Sequence, residues 1–221
     1  MLEKNMEQQC KLNNLVIADH PLIQHKLAKI RNKNTTSSQF RQLLREISIL
    51  MGCELTHNFP TEEITVDTPL EKTGAKILKA DGIVVVPILR AGLGMLDGLL
   101  ELMPDAKIGH IGLYRDKETK RPVEYLVKLP PTHNKECLLA DPMLATGYSA
   151  AHAVDVLKKA GVPEQKIHLM TLVSAPEGVT LMQELHPGVT VYTASLDREL
   201  DENSYILPGL GDAGDRLYGT K

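Results

Sequence analysis

The sequence has no excess of basic residues and no long apolar run. Its 25 Lys and Arg against 28 Asp and Glu give a formal net charge of −3, which excludes a general attraction to nucleic acid or to an anionic membrane. No stretch reaches the roughly 18 consecutive apolar residues of a membrane-spanning helix, and the N-terminus has no signal-peptide pattern. We therefore expect a soluble, cytoplasmic protein with no membrane or nucleic-acid partner.

Cysteine is scarce, and histidine is not arranged for metal binding. The three cysteines, Cys10, Cys53 and Cys137, have no metal-like spacing and are typical of reduced thiols in a cytosolic protein. Cys137 lies in an apolar run, so we interpret it as a small core residue rather than a nucleophile. None of the eight histidines has the spacing of a ligand pair. The sequence thus predicts no protein-held metal and no catalytic histidine.

Short β-branched runs alternate with amphipathic segments along most of the chain. This alternation predicts an α/β fold in which helices cover both faces of a parallel sheet. The predicted strands are residues 64–66, 83–89, 108–113, 137–140, 167–173 and 189–194. The predicted helices are residues 21–31, a segment capped by Thr36 and Gln39 and stopped at Gly52, and residues 69–80, 149–160 and 176–185.

Two regions depart from this alternation. Residues 1–13 are polar and without periodicity, so we expect a disordered tail that takes no part in the chemistry. Residues 114–129 contain two extended pieces interrupted at residues 119–122, which predicts an antiparallel arm. The remaining chain, residues 14–221, is expected to form one domain, because 221 residues with 43% hydrophobic content can bury one full core.

Asp141 and the small residues after it favour a site for a phosphorylated sugar. They follow the strand at 137–140, and the helix that opens after them would present free amides to a phosphate. An ionised Asp141 only accepts hydrogen bonds, which suits the two hydroxyls of a ribose. The alternative is an ordinary turn that caps a helix. The loop alone supports both interpretations about equally.

Two further segments favour ligand binding. Arg90 directly follows the strand at 83–89 and precedes glycines, so its fixed charge could bind a pyrophosphate; a structural salt bridge is the alternative. Residues 209–214 match G-x-G-x-x-G, but only seven residues follow Gly214, too few for a dinucleotide-binding unit. What remains is a glycine-rich loop whose main chain can approach a flat base.

These motifs carry a family resemblance. Residues 141–150 resemble the ribose-phosphate signature of the type I phosphoribosyltransferases, in the variant where Pro142 replaces a second acidic residue. That variant is similar to the uracil phosphoribosyltransferase family, and residues 205–216 resemble the same family's base-binding segment. The similarity runs from about His20 to the C-terminus. It implies a type I phosphoribosyltransferase-like parallel sheet flanked by helices, with an antiparallel β-arm and a C-terminal base-binding hood.

The resemblance also implies roles for individual residues. Arg90, Arg115, Asp141 and Asp212 are implied to be catalytic. The residues implied to bind 5-phosphoribosyl 1-pyrophosphate are Arg90, Arg115, Asp141, Pro142, Met143, Leu144, Ala145, Thr146, Gly147, Tyr148, Ser149 and Asp212. Those implied to bind uracil are Ile206, Gly211, Asp212 and Ala213. Mg²⁺ is expected mainly on substrate oxygens, and GTP activates some members of the family.

One residue departs from the family pattern. The family usually has glycine where this chain has Tyr148, and a positive φ at that position would strain a tyrosine and weaken phosphate binding.

The activity implied by the resemblance is the reaction of uracil with 5-phosphoribosyl 1-pyrophosphate to UMP and pyrophosphate, a step of pyrimidine salvage. Two alternatives stay open: a regulatory nucleotide- or RNA-binding protein of the same fold, and a phosphoribosyltransferase for another base. The absence of a basic excess argues against the first, and Pro142 argues against the second. The apolar stripe of the helix after Thr36 and the arm favour a homodimer or a larger assembly.

Overall fold

The computed structural model describes residues 14–79, 82–116 and 121–220, without the side chain of Arg115. The tail at residues 1–13 lies outside these ranges, so the expectation for it stays a prediction. The helices are α1 (Pro21–Arg31), α2 (Ser37–Leu55), α3 (Leu93–Leu102), α4 (Tyr148–Lys159), α5 (Pro176–Leu185) and α6 (Ala213–Tyr218), with 3-10 turns at Thr56–Asn58 and Glu164–Lys166. The strands are β1 (Leu15–Ile17), β2 (Thr61–Asp67), β3 (Lys72–Leu78), β4 (Ile83–Leu89), β5 (Lys107–Ile108), β6 (His110–Arg115), β7 (Pro122–Lys128), β8 (Glu136–Ala140), β9 (Met143–Leu144), β10 (Ile167–Ser174), β11 (Thr190–Leu196), β12 (Glu199–Leu200) and β13 (Ile206–Leu207).

A mostly parallel sheet forms the centre of the fold. Among the described residues it has nine strands, and its main path runs β1-β11-β10-β8-β4-β6-β7. Every pair along this path is parallel except β6 with β7. Pro87 of β4 lies opposite Ala140 of β8, so the carboxyl ends of these two strands are neighbours. The predicted α/β fold is therefore confirmed.

Alternate side chains of the central strands pack into two separate cores. Val85, Leu138 and Met170 face the core that contains α1, α2, α3 and α6. Val84 and Leu139, the sequence neighbours of Val85 and Leu138, face the core that contains α4 and α5. Because successive side chains of a strand point to opposite faces, strands buried on both sides need apolar residues at every position. This requirement explains the continuous apolar runs in the sequence.

Helix α2 begins where the sequence predicts but extends past the predicted stop. The Thr36 hydroxyl accepts a hydrogen bond from the Gln39 amide, and the Gln39 side chain accepts one from the Thr36 amide, which is the expected capping box. Gly52 does not end the helix, which continues to Leu55. A Cβ at position 52 would lie 3.0 Å from the methyl groups of Leu99 and Leu102, so this glycine allows α3 to pack closely. None of the described helices combines the length and the apolar composition that spanning a membrane requires.

The prediction of a helix at residues 69–80 is wrong. Lys72–Leu78 is a strand that pairs with Thr61–Asp67 as an antiparallel hairpin, closed by a turn in which the Thr68 amide and hydroxyl both donate to the Glu71 carbonyl. Residues such as Lys, Ala and Leu suit a helix locally, but pairing along the whole of β2 outweighs that modest preference. Ala80, the end of the predicted helix, lies outside the described residues.

Two other predictions concern the far side of the sheet. The run at 108–113 is not one strand: it is divided at Gly109, with β5 paired to the first half of β4 and β6 to its end. The antiparallel arm is confirmed, since β6 and β7 form a hairpin with a register shift between Gly112 and Leu113. Residues 117–120, which include part of the predicted interruption, lie outside the described residues.

The C-terminal segment folds back over the carboxyl ends of the strands. Residues 199–218, which we call the hood, contain the short antiparallel pair of β12 and β13 followed by α6. Ile206, Leu210 and Ala213 are buried in the same core as Ala140 at the end of β8. The hood is therefore packed onto the strand that leads into Asp141.

Candidate active site

Asp141 lies where the sequence places it, at the carboxyl end of β8. Its backbone amide donates to the Met170 carbonyl of the neighbouring strand, and the residue is mostly buried. The Met143 amide lies 3.4 Å from the Asp141 carboxylate, a long contact that offsets little of the lost hydration. Burial raises the pKa of Asp141 to about 7, with the Met143 amide acting in the opposite direction. The carboxylate is thus short of hydrogen-bond donors, which the hydroxyls of a sugar could supply.

The phosphate loop, residues 141–149, is fixed against the sheet and against α5. The Pro142 carbonyl accepts from the amides of Leu172 and Val173, and Met143–Leu144 pairs with the end of β10. A Cβ at position 178 would collide with the Ala145 carbonyl, so Gly178 of α5 allows the loop to lie directly on that helix. Such packing holds the loop in one conformation before any ligand binds.

Gly147 provides the only positive φ in the phosphate loop. Its φ is +86°, and a Cβ there would lie 2.9 Å from the Gly178 carbonyl oxygen. Tyr148 is the first residue of α4 and has no positive φ. The positive φ that would strain a tyrosine therefore does not occur at this position, because the loop turns one residue earlier, at a glycine. Thr146 and Ser149 are partly exposed on either side of the turn.

Arg90 reaches the same edge of the sheet from β4. It directly follows the strand and is exposed. Two residues later, Gly92 packs so tightly against the Ala140 carbonyl that any Cβ would collide with it. Since Ala140 precedes Asp141, this contact brings the Arg90 segment and the phosphate loop together.

The end of the hood contacts Arg90 directly. The Tyr218 hydroxyl donates to the Arg90 carbonyl at 3.0 Å, and the Arg90 guanidinium carbon lies 5.7 Å from the centre of the Tyr218 ring. A Cβ at position 214 would lie 4.0 Å from an Arg90 guanidinium nitrogen. Arg90 therefore lies between the phosphate loop and the glycine-rich segment, although the two are about 65 residues apart in sequence.

The residues predicted to contact uracil have different environments. The Ile206 side chain is 6% exposed and belongs to the core, so only its main chain could face a ligand. Gly211 is exposed with φ +78°, and Ala213 is fully buried. Asp212 precedes α6 and accepts a hydrogen bond from the Asp215 amide, so one carboxylate oxygen has a structural role. The roles of these four residues toward uracil stay predictions.

An ion pair that no sequence pattern predicts holds the hood. Arg31, at the end of α1, donates to both carboxylate oxygens of Asp197 at 2.7 and 2.6 Å and also to the Gly209 carbonyl at 2.7 Å. Asp197 in turn accepts from the Gly209 amide at 2.9 Å and from the Ser195 hydroxyl at 2.7 Å. Both polar groups of the Gly209 residue are thereby held, immediately before the glycine-rich segment. No local pattern reveals a pair whose members are 166 residues apart.

The arm brings a second unpredicted group toward the phosphate loop. Arg115, predicted to bind pyrophosphate, ends strand β6, and its side chain lies outside the described part of the structure. Arg121, the residue before β7, lies with its guanidinium carbon 4.1 Å from the centre of the Tyr148 ring. The sequence shows both residues but not their proximity, because nothing in an isolated hairpin specifies which helix it contacts.

The described residues hold no group of three or more His, Cys, Asp or Glu side chains that could bind a metal by themselves. Cys137 is fully buried in β8, and burial raises the pKa of its thiol to about 12. A thiol with that pKa has almost no thiolate at neutral pH. Cys137 is therefore a core residue, as the sequence indicates.

Known proteins resemble this chain over nearly its whole length. A family model described as uracil phosphoribosyltransferase matches residues 16–220. Proteins named uracil phosphoribosyltransferase from Ralstonia pickettii and Burkholderia thailandensis are 57% and 56% identical over 216 residues, covering 98% of this chain and 100% of each relative. The solved structure of the AQ2163 protein from Aquifex aeolicus is 35% identical, with a TM-score of 0.89 over 94% of this chain and 99% of that chain.

Proposed function

The chain belongs to the uracil phosphoribosyltransferase family, and we propose that its site converts uracil and 5-phosphoribosyl 1-pyrophosphate to UMP and pyrophosphate. The observation that best supports this site is the position of Arg90, packed between the segment that leads to Asp141 and the end of the hood. The proposed sugar-phosphate site and the proposed base site would thus be adjacent. The residue roles below are proposals that follow from this arrangement.

The phosphate loop would hold the ribose 5-phosphate. The amides that open α4 and the hydroxyls of Thr146 and Ser149 are suitable donors for the phosphate oxygens. Asp141, ionised, would accept hydrogen bonds from the two ribose hydroxyls. Because the loop is already packed against β10 and α5, binding requires little ordering of the protein.

Arg90 and Arg115 would bind the pyrophosphate as it leaves. In the reaction the bond from C1′ to the pyrophosphate oxygen breaks, C1′ becomes cationic, and N1 of uracil forms the new bond and loses its proton. The protein contributes position and charge rather than a covalent intermediate. A guanidinium suits this role because it stays charged and can donate two parallel hydrogen bonds to oxygens of the leaving group.

The hood would read uracil through its main chain. Gly211 to Ala213 and the backbone of Ile206 could pair with the carbonyl acceptors and the N–H donor of the base. Cytosine presents a donor where uracil O4 accepts, and the mismatch would leave a buried polar group unpaired. A purine would need more room than such a loop gives. This scheme favours uracil over other bases.

The donor groups of the site fit a Mg²⁺ ion that arrives with the substrate. Mg²⁺ usually keeps several waters and uses substrate phosphates together with one or two carboxylates. Asp141 and Asp212 are the acidic residues available at the two sides of Arg90, and no three-residue metal cluster occurs in the described ranges. When bound, the ion would neutralise charge on the pyrophosphate.

The protein is also proposed to form a homodimer or a larger assembly. The β2–β3 hairpin pairs with no other strand among the described residues. Ile77 and Leu78 are each 39% exposed on it, and Leu70 at its turn is 95% exposed. An isolated two-stranded hairpin is only marginally stable in water, so contact with a second copy would account for these apolar side chains. Residues 14–221 are proposed to form the single domain of each copy.

Conversion of radiolabelled uracil tests the proposed function. The assay contains the sugar-pyrophosphate and Mg²⁺, is repeated with labelled adenine, hypoxanthine, cytosine or orotate in place of uracil, and is run with and without GTP. We expect labelled UMP with uracil and at least about 100-fold less product with the other bases. Higher activity with another base would contradict the assignment to uracil. The assays with GTP show whether GTP activates this protein.

A further inference from the structure

Two contacts join the β6–β7 arm to the first turns of α4. Arg121 lies against the ring of Tyr148, with 4.1 Å from its guanidinium carbon to the ring centre. Three residues along the arm, Glu124 accepts from His152 across 3.1 Å. Tyr148 and His152 are four residues apart, so they lie one above the other on the same face of the helix. The arm is thus attached at two adjacent points.

The attachment is next to the phosphate site. Tyr148 is the first residue of α4 and directly follows Gly147, where the loop turns. Its main chain is part of the proposed phosphate site, while its ring faces Arg121 on the arm. Within the arm, the Tyr125 ring packs on Gly112, where a Cβ would lie 2.6 Å from two ring carbons. The hairpin is therefore internally packed as well as attached to the helix.

We propose that Tyr148 is a positioning residue whose ring, through Arg121, holds the β6–β7 arm against the phosphate loop and so favours binding of the sugar-pyrophosphate. This inference rests on the proposed function, because it concerns the same substrate. Because the arm is held in place before the substrate arrives, less free energy is spent on ordering the arm when the substrate binds. It also keeps the Arg121 cation close to the first turn of α4, where the phosphate charge would be.

Each contact by itself is weak. All four side chains are at least partly exposed, and ion pairs and cation–π pairs at such sites have small effects. We therefore expect changes of about two- to fivefold in the affinity for the sugar-pyrophosphate, rather than loss of activity. Uracil binds at the hood, which is separate from this attachment, so its KM should change much less.

A double-mutant cycle on Tyr148 and Arg121 tests the proposal. Tyr148→Leu removes the ring, Arg121→Gln removes the cation, and Tyr148→Phe keeps a ring that can still face the guanidinium. Calorimetric Kd for the sugar-pyrophosphate with Mg²⁺ and steady-state KM for both substrates are measured for each variant and for the double variant. Thermal unfolding confirms that each variant is folded.

We expect Tyr148→Leu and Arg121→Gln each to raise Kd and KM for the sugar-pyrophosphate about two- to fivefold, Tyr148→Phe to raise them less than Tyr148→Leu does, and the double variant to be no worse than either single variant. Lys128→Gln, which removes an exposed cation at the far end of strand β7, should leave both constants unchanged. The proposal would be overturned if the effects of Tyr148→Leu and Arg121→Gln on Kd multiplied in the double variant. It would also be overturned if Tyr148→Leu left Kd unchanged, or if Lys128→Gln raised Kd equally. Because Kd needs no turnover, a wild type that binds the sugar-pyrophosphate but does not convert uracil would contradict the proposed function alone.

Discussion

Asp141 is held at the end of β8 in a setting that does not favour its charge. Burial raises the pKa of the carboxyl to about 7, and the main-chain donor that contacts it, the Met143 amide, is 3.4 Å away. A residue kept only for stability would be better paired. The arrangement is typical of a binding site, where the missing donors come from the ligand and the protein tolerates a local cost.

Replacing Asp141 with Asn should stabilise the protein in a pH-dependent way. The carboxyl pKa is near 3.8 in the unfolded chain and about 7 in the folded protein. Between these values the folded state binds more protons, so the wild type loses stability as the pH rises and shows the full loss above pH 7. At pH 8 the Asp141→Asn variant should be more stable by on the order of 4 kcal/mol. The advantage should vanish near pH 4.

Urea unfolding of both proteins at pH 4, 6 and 8 measures the effect. The same variant should bind the sugar-pyrophosphate poorly at pH 8, because an amide donates where the ribose hydroxyls also donate. An advantage that is constant with pH would mean that the Asp141 carboxylate is not the cause.

Arg90 should act on turnover more than on uracil binding. In the proposed role its guanidinium binds pyrophosphate, and that charge matters most as the pyrophosphate leaves. We expect Arg90→Ala to lower kcat by about 100-fold and to change the Kd for uracil, measured with pyrophosphate analogues present, by less than about threefold. Tyr218→Phe is a matched control, since it removes the hydroxyl that donates to the Arg90 carbonyl but keeps the ring beside the guanidinium. Near-normal kcat in Arg90→Ala would be incompatible with the proposed role.

Among the elements, the hood depends most on contacts from distant parts of the chain. The Arg31–Asp197 pair holds Gly209, and Arg216 extends from α6 over the Phe40 ring of α2 while donating to the Leu210 carbonyl. A chain of buried hydroxyls, Thr171 to Ser174 to Thr193, lies in the strands next to the Asp197 segment. The glycine-rich loop thus takes its shape from residues around it rather than from its own side chains.

Asp197→Asn should therefore affect uracil more than the sugar-pyrophosphate. The Asp197 side chain is 2% exposed, and loss of its charge leaves Arg31 without its ionic partner. We expect a loss of about 3 kcal/mol in unfolding free energy and a rise of about tenfold in KM for uracil, with KM for the sugar-pyrophosphate within about twofold of the wild-type value. Steady-state kinetics with each substrate varied in turn measures the two KM values separately.

Glu101→Gln is the control for this experiment. It removes an ion pair with Arg45 in which both side chains are about half exposed, so neither KM should change. An equal rise in KM for both substrates in Asp197→Asn would show that Asp197 supports the whole fold and not the glycine-rich loop in particular.

The sequence predicted most elements because their signals are local. The capping box at Thr36, the β-branched run before Arg90 and the helix at 176–185 depend on residues close together in the chain, and each lies where expected. The strand Lys72–Leu78 was missed because its partner, β2, decides its structure. Gly52 was misinterpreted as a helix end because the reason for a glycine there lies on another helix, α3.

For the whole molecule, the site is formed by segments that meet only in the folded state. The carboxyl ends of β4 and β8 are neighbours in the sheet, which brings Arg90 and Asp141 to one edge. The hood then crosses this edge through Tyr218 and the residues around Gly214. Sequence motifs predicted three separate loops and the ligand type of each. The ion pair behind the hood and the contact between Arg121 and Tyr148 depend on folding of the whole chain, and no local pattern specifies them.

The crystal structure of the protein with UMP bound tests this account most directly. In this complex we expect the 5′-phosphate on the amides of residues 146–149 and the ribose hydroxyls within about 3 Å of the Asp141 carboxylate. We expect the uracil ring to lie against the main chain of residues 211–213. A complex in which UMP binds elsewhere, or in which its base points away from the hood while its phosphate occupies the loop, would contradict the account.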